Sequence, residues 1–256
     1  MEILVCVKRV PTVGGVITLT ADQRAVDTKT SGFTISPHEE CAVEEAVRLV
    51  ERFGGSVTVV SLGPVAAEEQ LRACLALGAT AAVLLETADG AETGPIATAA
   101  ALHTVAASGP FDLVLLGNEA ADTGGYQVGI RLAHLLGRPA ATGIKAISVS
   151  DDGTSLAASR TYRGMLETFT LPLPCVLTVK EGINLPRYPS LPGRLRAKRA
   201  PVTRIPAGDT PAAGGDVLMT RLRVPDAPKQ RATVVGHGPD AVPALVSVLT
   251  EIGVLS

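Results

Sequence analysis

Tryptophan is absent from the 256-residue chain, and only four Phe and three Tyr stand in its place. A core built from this material is aliphatic, and platforms on which single-stranded nucleic acid could stack its bases have almost no source. Excess positive charge is missing too: the formal net charge is −2. Neutralising a phosphate backbone needs a clear cationic excess, so a nucleic-acid binder is excluded. The four cysteines, Cys6, Cys41, Cys74 and Cys175, include no C-x-x-C pair. They read as small buried hydrophobes in a reducing compartment, not as a disulfide frame or a zinc site. The sequence shows no charged region ahead of an apolar run at its start and no arginine-rich presequence. No stretch nears the roughly 20 apolar residues that span a bilayer. The expectation is a cytoplasmic, bacterial protein.

What is present suffices for a sizeable core. The apolar fraction is 46% and the charged fraction 19%, which excludes wholesale disorder. Length predicts one large domain or one domain with an appendage. The first half alternates strand and helix signals. Aliphatic runs at 3–7, 56–62, 81–85 and 112–116 suit strands buried on both faces. Residues 13–35, rich in Gly, Thr and Asp, predict a hairpin or irregular excursion. Ser36, Pro37 and Glu39 supply a cap, a first-turn proline and a capping box for a helix that Gly54-Gly55 ends. Further helices are expected over 65–77 and 94–107, and one ending near Gly137. This rhythm predicts an α/β fold: a doubly wound, mostly parallel sheet of the Rossmann-like, adenine-nucleotide-hydrolase-like kind.

After about residue 145 the texture changes. Segments 155–163, 166–171 and 175–180 predict three strands in a meander, an antiparallel extension of the sheet. Residues 183–232 are rich in Pro, Gly and Arg without a sustained period, and so long a structureless loop does not belong inside a compact domain. The reading is an arm laid over another polypeptide, with one amphipathic helix over 241–252. The division is therefore a nucleotide-binding domain at 1–182 and an extended C-terminal arm and terminal helix at 183–256.

The most informative segment runs from Leu115 through Gly117-Asn118-Glu119-Ala120-Ala121-Asp122-Thr123-Gly124-Gly125-Tyr126-Gln127-Val128 to Gly129. It leaves the carboxyl end of a strand and enters a helix, the place where open α/β sheets bind ligands. Gly124 and Gly125 would let backbone N–H groups approach an anion, and the helix N-terminus offers free donors. The alternative is a turn whose glycines serve only its geometry, since this is neither a Walker loop nor a G-x-G-x-x-G fingerprint. Cys6-Val7-Lys8, Leu62-Gly63-Pro64 and Ser36-Pro37-His38-Glu39 could converge on the same edge, making one cleft of nucleotide size. His38, His103, His134 and His237 are scattered, with no metal-ligand spacing. No nucleophile elbow is present. Arg194-Leu195-Arg196-Ala197-Lys198-Arg199 is either a solvated loop or a docking surface for an acidic partner. Leu191, beside it, would then be an exposed apolar anchor.

With these segments in view, the sequence resembles the β subunit of electron-transfer flavoprotein over essentially its whole length. Leu4 to Val10 is similar to the family's opening strand and Cys41 to Leu49 to its first long helix. Arg160, Gly164, Leu166, Glu167, Pro174, Val176 and Thr178 resemble its signature. Asn184 to Pro192 with Ala197-Lys198 resemble its recognition arm. Where the signature usually carries an acidic residue and two glycines, this chain has Arg163, Gly164 and Met165; Ser36, His38 and Glu39 also differ from the common forms.

The resemblance implies a non-catalytic electron-carrier subunit that associates with an α subunit around one redox-active FAD, held mainly by α. It implies AMP in the β cleft, contacted by Cys6, Ser36, Pro37, His38, Glu39, Leu62 and the loop from Gly117 to Val128. Within that loop the favoured contacts are Asp122, Thr123, Gly124, Gly125, Gln127 and Val128. It implies docking of acyl-CoA dehydrogenases and other flavin dehydrogenases through Leu191, flanked by Arg194, Arg196 and Lys198, with electrons passed on to a quinone oxidoreductase. In electron-bifurcating relatives the same cleft holds a second FAD in place of AMP. A stand-alone ATP-binding protein of the universal-stress kind is the remaining alternative.

Overall fold

The aliphatic runs of the first half become the strands of a seven-stranded sheet in the computed structural model, which describes all residues except 13, 15, 16, 30, 92, 209–215, 218, 226–231 and 256. In chain order, β1 is Glu2–Cys6, and β2 (Val10–Pro11) and β3 (Phe33–Thr34) pair as a short antiparallel ribbon at the base of the predicted excursion. Next come α1 (Pro37–Phe53), β4 (Ser56–Gly63), α2 (Glu68–Leu77), β5 (Ala81–Glu86), α3 (Pro95–Ser108), β6 (Leu113–Gly117) and α4 (Val128–Leu136). Then follow β7 (Ala140–Ile144), β8 (Ala146–Val149), β9 (Ser155–Tyr162), β10 (Met165–Pro172) and β11 (Cys175–Val179). Last are α5 (Leu191–Arg199), β12 (Thr203–Pro206) and α6 (Val242–Glu251).

The main sheet has the order β12-β5-β4-β1-β6-β11-β7, and every neighbouring pair in it is parallel. The central strands are predominantly aliphatic because helices cover both faces. One core layer joins α1 and α2 to the sheet through Ile3, Val5, Val43, Val47, Leu71 and Leu115. The other joins α3 and α4 through Leu4, Val60, Leu102, Val114 and Leu132. Chain order runs outward from β1 through β4 to β5 and then returns to place β6 on the other side of β1. The reversal between β1 and β6 is the switch point at which such sheets open a crevice.

The expected meander is corrected. Strands β8, β9 and β10 form a separate three-stranded antiparallel sheet. The third expected strand, β11, instead enters the main sheet parallel between β6 and β7. Its composition explains this: Cys175, Val176, Leu177, Thr178 and Val179 are all buried. Such an unbroken run suits a strand covered on both faces rather than an antiparallel edge.

The expected arm is also partly different. Through residue 206 it lies on this chain itself. The Arg187 guanidinium donates to Glu44 at 2.8 Å and to Glu51 at 2.6 Å on α1, and Asn184 Nδ2 donates to the Cys41 carbonyl at 3.0 Å. Helix α5 rests on α2 through Gly193 and Ala197, both buried. A methyl on Gly193 would stand 2.5 Å from the Ala76 carbonyl oxygen, so only glycine permits this approach. Arg72 on α2 donates to the carbonyls of Ala197 (2.6 Å), Lys198 (3.2 Å) and Ala200 (3.1 Å), which closes the end of α5. Strand β12 then extends the sheet beside β5.

Two compact units divide the chain, Met1–Leu222 and Arg223–Ser256. In the second, a 3-10 turn at Pro239–Ala241 leads into α6, where the expected terminal helix is found. On α6 the side chains of Val242, Leu245, Val246 and Val248 are exposed.

Candidate functional site

The carboxyl ends of β1 and β6 lie side by side, Cys6 opposite Leu116. Three segments meet there: residues 6–8, the start of α1, and the loop from Gly117 to Gln127. Helix α1 begins as its sequence dictates, with Pro37 in the first turn and a capping box between Ser36 and Glu39. Glu39 does more than cap. Its Oε2 accepts the backbone N–H of Ser36 at 3.3 Å and that of Lys8 at 3.0 Å, tying α1 to the end of β1. Burial pushes this carboxyl up to about 7, against those two hydrogen bonds and the Lys8 charge, which favour the anion. Burial, reinforced by Glu39, also pushes the Cys6 thiol far up, so Cys6 is a neutral packing group and not a thiolate.

Gly117 is the hinge of the constellation. A Cβ there would lie 2.8 Å from Glu39 Cγ and 3.1 Å from His38 Cβ. Its absence lets β6 end against the first turn of α1. From Gly117 the loop is anchored twice. Asn118 N–H donates to the Val179 carbonyl at 2.9 Å, and the Thr178 hydroxyl donates to Asn118 Oδ1 at 2.8 Å. The Ser36 hydroxyl reaches the Glu119 carbonyl at 3.5 Å. Farther out, Lys8 Nζ holds the Asp122 carboxylate at 2.7 and 2.9 Å. Gly124 takes a left-handed φ of 56° and Tyr126 one of 53°. This backbone turns the loop into α4, and the glycine adopts it without strain.

His38 Nδ1 is a buried nitrogen with no hydrogen-bond partner, 4.0 Å from Glu119 Oε1. Burial lowers its basicity; Glu119 and Glu181 oppose that, while Lys180 and Lys145 add to it. The imidazole is therefore neutral at pH 7, with one nitrogen available. Helix α4 is preceded by Gln127, which makes no side-chain cap, and carries no acid in its first turn. Its first N–H groups and its dipole suit an anion.

The structure thus brings together Cys6, Ser36, His38, Glu39, Gly117 and Asp122 where the ends of β1 and β6 meet the start of α1. Pro37 is exposed at the helix start, and Thr123, Gly124 and Gly125 are exposed on the loop. Leu62 stands one residue before the end of the neighbouring strand β4 and packs against the α3–α4 layer, as does Val128. Gln127 accepts from Arg131 at 2.9 and 3.2 Å and, with Tyr126, lines a groove of about 460 Å³ between α3 and α4. Glu119 and Tyr126 lie within the loop from Gly117 to Val128 that the resemblance implies, and Lys8 joins the same cluster through Asp122. Lys8 stood at a recognised strand end, but its ion pair with Asp122 spans 114 positions and leaves no local signal.

The residues expected to dock a partner lie elsewhere. Leu191 is the first residue of α5 and 72% exposed. Arg194, Leu195 and Lys198 share that exposed surface, on the helix face away from the buried Gly193 and Ala197. Arg196 is also exposed and donates to the Leu75 carbonyl at 3.3 Å. Among the described residues no helix is long and apolar enough to cross a membrane, and no cluster of His, Cys, Asp or Glu could hold a metal ion.

The model of the electron transfer flavoprotein domain matches residues 24–210. The electron transfer flavoprotein subunit beta of Bradyrhizobium diazoefficiens is 36% identical over the full length of both chains. The human subunit beta is 35% identical over 99% of this chain and 98% of its own. That of Bacillus subtilis is 39% identical over 68% of each. With a family match across most of its length and full-length relatives above 30% identity, the chain belongs to the electron transfer flavoprotein family, on the β-subunit branch.

Proposed function

We propose that this chain is the β subunit of a heterodimeric electron carrier, binding AMP as a structural nucleotide and helping an α subunit to hold FAD. The observation that carries the nucleotide reading is the crevice at the switch point. It places an unpartnered, neutral His38 nitrogen, an uncapped helix N-terminus and a glycine-bearing loop at adjoining strand ends. An adenosine monophosphate fits that donor set: the α4 amides and loop N–H groups suit its phosphate, and His38 and Ser36 suit its ribose or base. FAD in place of AMP would use the same phosphate donors. When bound at the subunit interface, FAD supplies the redox chemistry; the residues of this chain scaffold and dock.

The surface around α5 supports the partner reading. Leu185, Tyr188, Leu191 and Leu195 are 83, 95, 72 and 54% exposed beside Arg194 and Lys198. An apolar row flanked by cations suits the acidic rim and apolar pocket of a flavin dehydrogenase such as an acyl-CoA dehydrogenase. The exposed apolar side chains of α6 suit burial against the α subunit. A quinone oxidoreductase is the proposed acceptor.

The test is reduction of the αβ complex by a flavin dehydrogenase and its substrate. Leu191→Ala should slow electron acceptance by about tenfold, the loss expected of a buried interface anchor. Its FAD and AMP content should remain intact. Equal rates for the variant and the parent would remove Leu191 from the docking surface, and loss of cofactor would make it a structural residue.

A further inference from the structure

The Lys8–Asp122 pair crosses the mouth of the crevice. Lys8 sits two residues beyond the last residue of β1, and Asp122 sits on the loop that leaves β6. Both carboxylate oxygens are within 3 Å of Nζ, so the ammonium already has a full anionic partner. Glu39 accepts the Lys8 backbone N–H, and Glu119 stands 4.0 Å from His38. An anion approaching the end of β1 and the loop after β6 therefore meets a lysine whose charge is already matched by Asp122. An anion can occupy that position favourably only if it takes the ammonium from Asp122.

We infer that Lys8 is a phosphate-binding residue of the nucleotide crevice, and that Asp122 is its competing counter-ion rather than a nucleotide ligand. The carboxylate marks the place that the phosphate takes on the ammonium. Binding exchanges one anion for another on the same ammonium and releases the loop tip from β1. The inference rests on the nucleotide reading above and reverses the role that the resemblance implies for Asp122.

The experiment is calorimetric titration of the αβ complex, freed of its exchangeable nucleotide, with AMP, FAD and adenosine. The parent is compared with Asp122→Asn, Lys8→Met and Lys8→Arg. Removing the competitor should tighten AMP, or FAD if that is the ligand, by about threefold, the scale of a partly exposed ion pair. Lys8→Met should weaken it by about tenfold or more, the loss of a charge-assisted contact. Lys8→Arg should stay within about threefold of the parent, since it keeps the cation. Adenosine, lacking the phosphate, should bind all four proteins alike. Weaker AMP binding in Asp122→Asn would make Asp122 a ligand and overturn the inference. Equal loss of adenosine and AMP in Lys8→Met would do the same. If Lys8→Met does not fold, the sign of the Asp122→Asn effect decides alone. A parent that takes up neither AMP nor FAD would overturn the nucleotide reading itself, and this inference with it.

Discussion

Glu39 is 6% exposed, and its carboxylate is held by the N–H groups of Ser36 and Lys8. Burial raises it from 4.5 to about 7, above its value in the unfolded chain. Between those values the folded state binds the proton more tightly, so the associated stability is fully present below about pH 4.5 and is lost as pH rises through 7. Glu39→Gln keeps an acceptor for both N–H groups and removes the titration. Thermal unfolding followed from pH 4.5 to 8 should therefore show a decline in the parent that is smaller in the variant, by about 1–3 kcal/mol over that range. Identical pH profiles would show that Glu39 does not titrate there. Glu44 follows the opposite pattern. Burial alone would raise it, but hydrogen bonds from Arg187 and Arg48 hold its carboxyl below the ordinary value. It remains the anion that anchors Arg187.

At the scale of elements, α5 shows how a helix with little apolar surface is anchored. Its own apolar content is low, and the stripe it buries consists of Gly193 and Ala197. Arg72 compensates by capping its last carbonyls from α2 and is itself paired to Glu68 at 2.6 Å. Arg72→Ala should cost about 1–2 kcal/mol, the scale of hydrogen bonds from a charged donor. It should also raise amide exchange selectively across 191–206; unchanged exchange there would show that α5 stands without Arg72. The same features explain why sequence reading missed this helix. Periodicity registers Leu, Val and Ile, and a contact made by Gly and Ala leaves no apolar stripe. Strand β12 escaped notice because an exposed edge strand, Thr-Arg-Ile-Pro, needs no buried face. Strands β7 and β8 are built of Ala, Thr, Gly and Ser with few large side chains. By contrast β1, β4, β5 and β6 were legible to within a residue or two, since burial on both faces demands unbroken aliphatic runs. Helix α1 was legible from its cap.

Across the whole molecule, the doubly wound sheet converts separated motifs into one crevice. Strand ends at Cys6 and Gly117 become neighbours only because β6 returns beside β1. The sequence could suggest this convergence from the position of each motif at a strand end, yet the cross-links that shape it, Lys8 to Asp122 and Ser36 to Glu119, are products of the fold. The near absence of aromatic residues fits a subunit with few rings to place against a flavin of its own. The formal charge of −2 conceals a basic helix, α5, with exposed leucines at Leu191 and Leu195. The direct measurement of what the crevice holds is to co-express the chain with its α subunit, denature the purified heterodimer, and identify and count the nucleotides released. One FAD and one AMP per heterodimer is the expected result, whereas two FAD without AMP, or no adenine nucleotide beyond a single FAD, would contradict it.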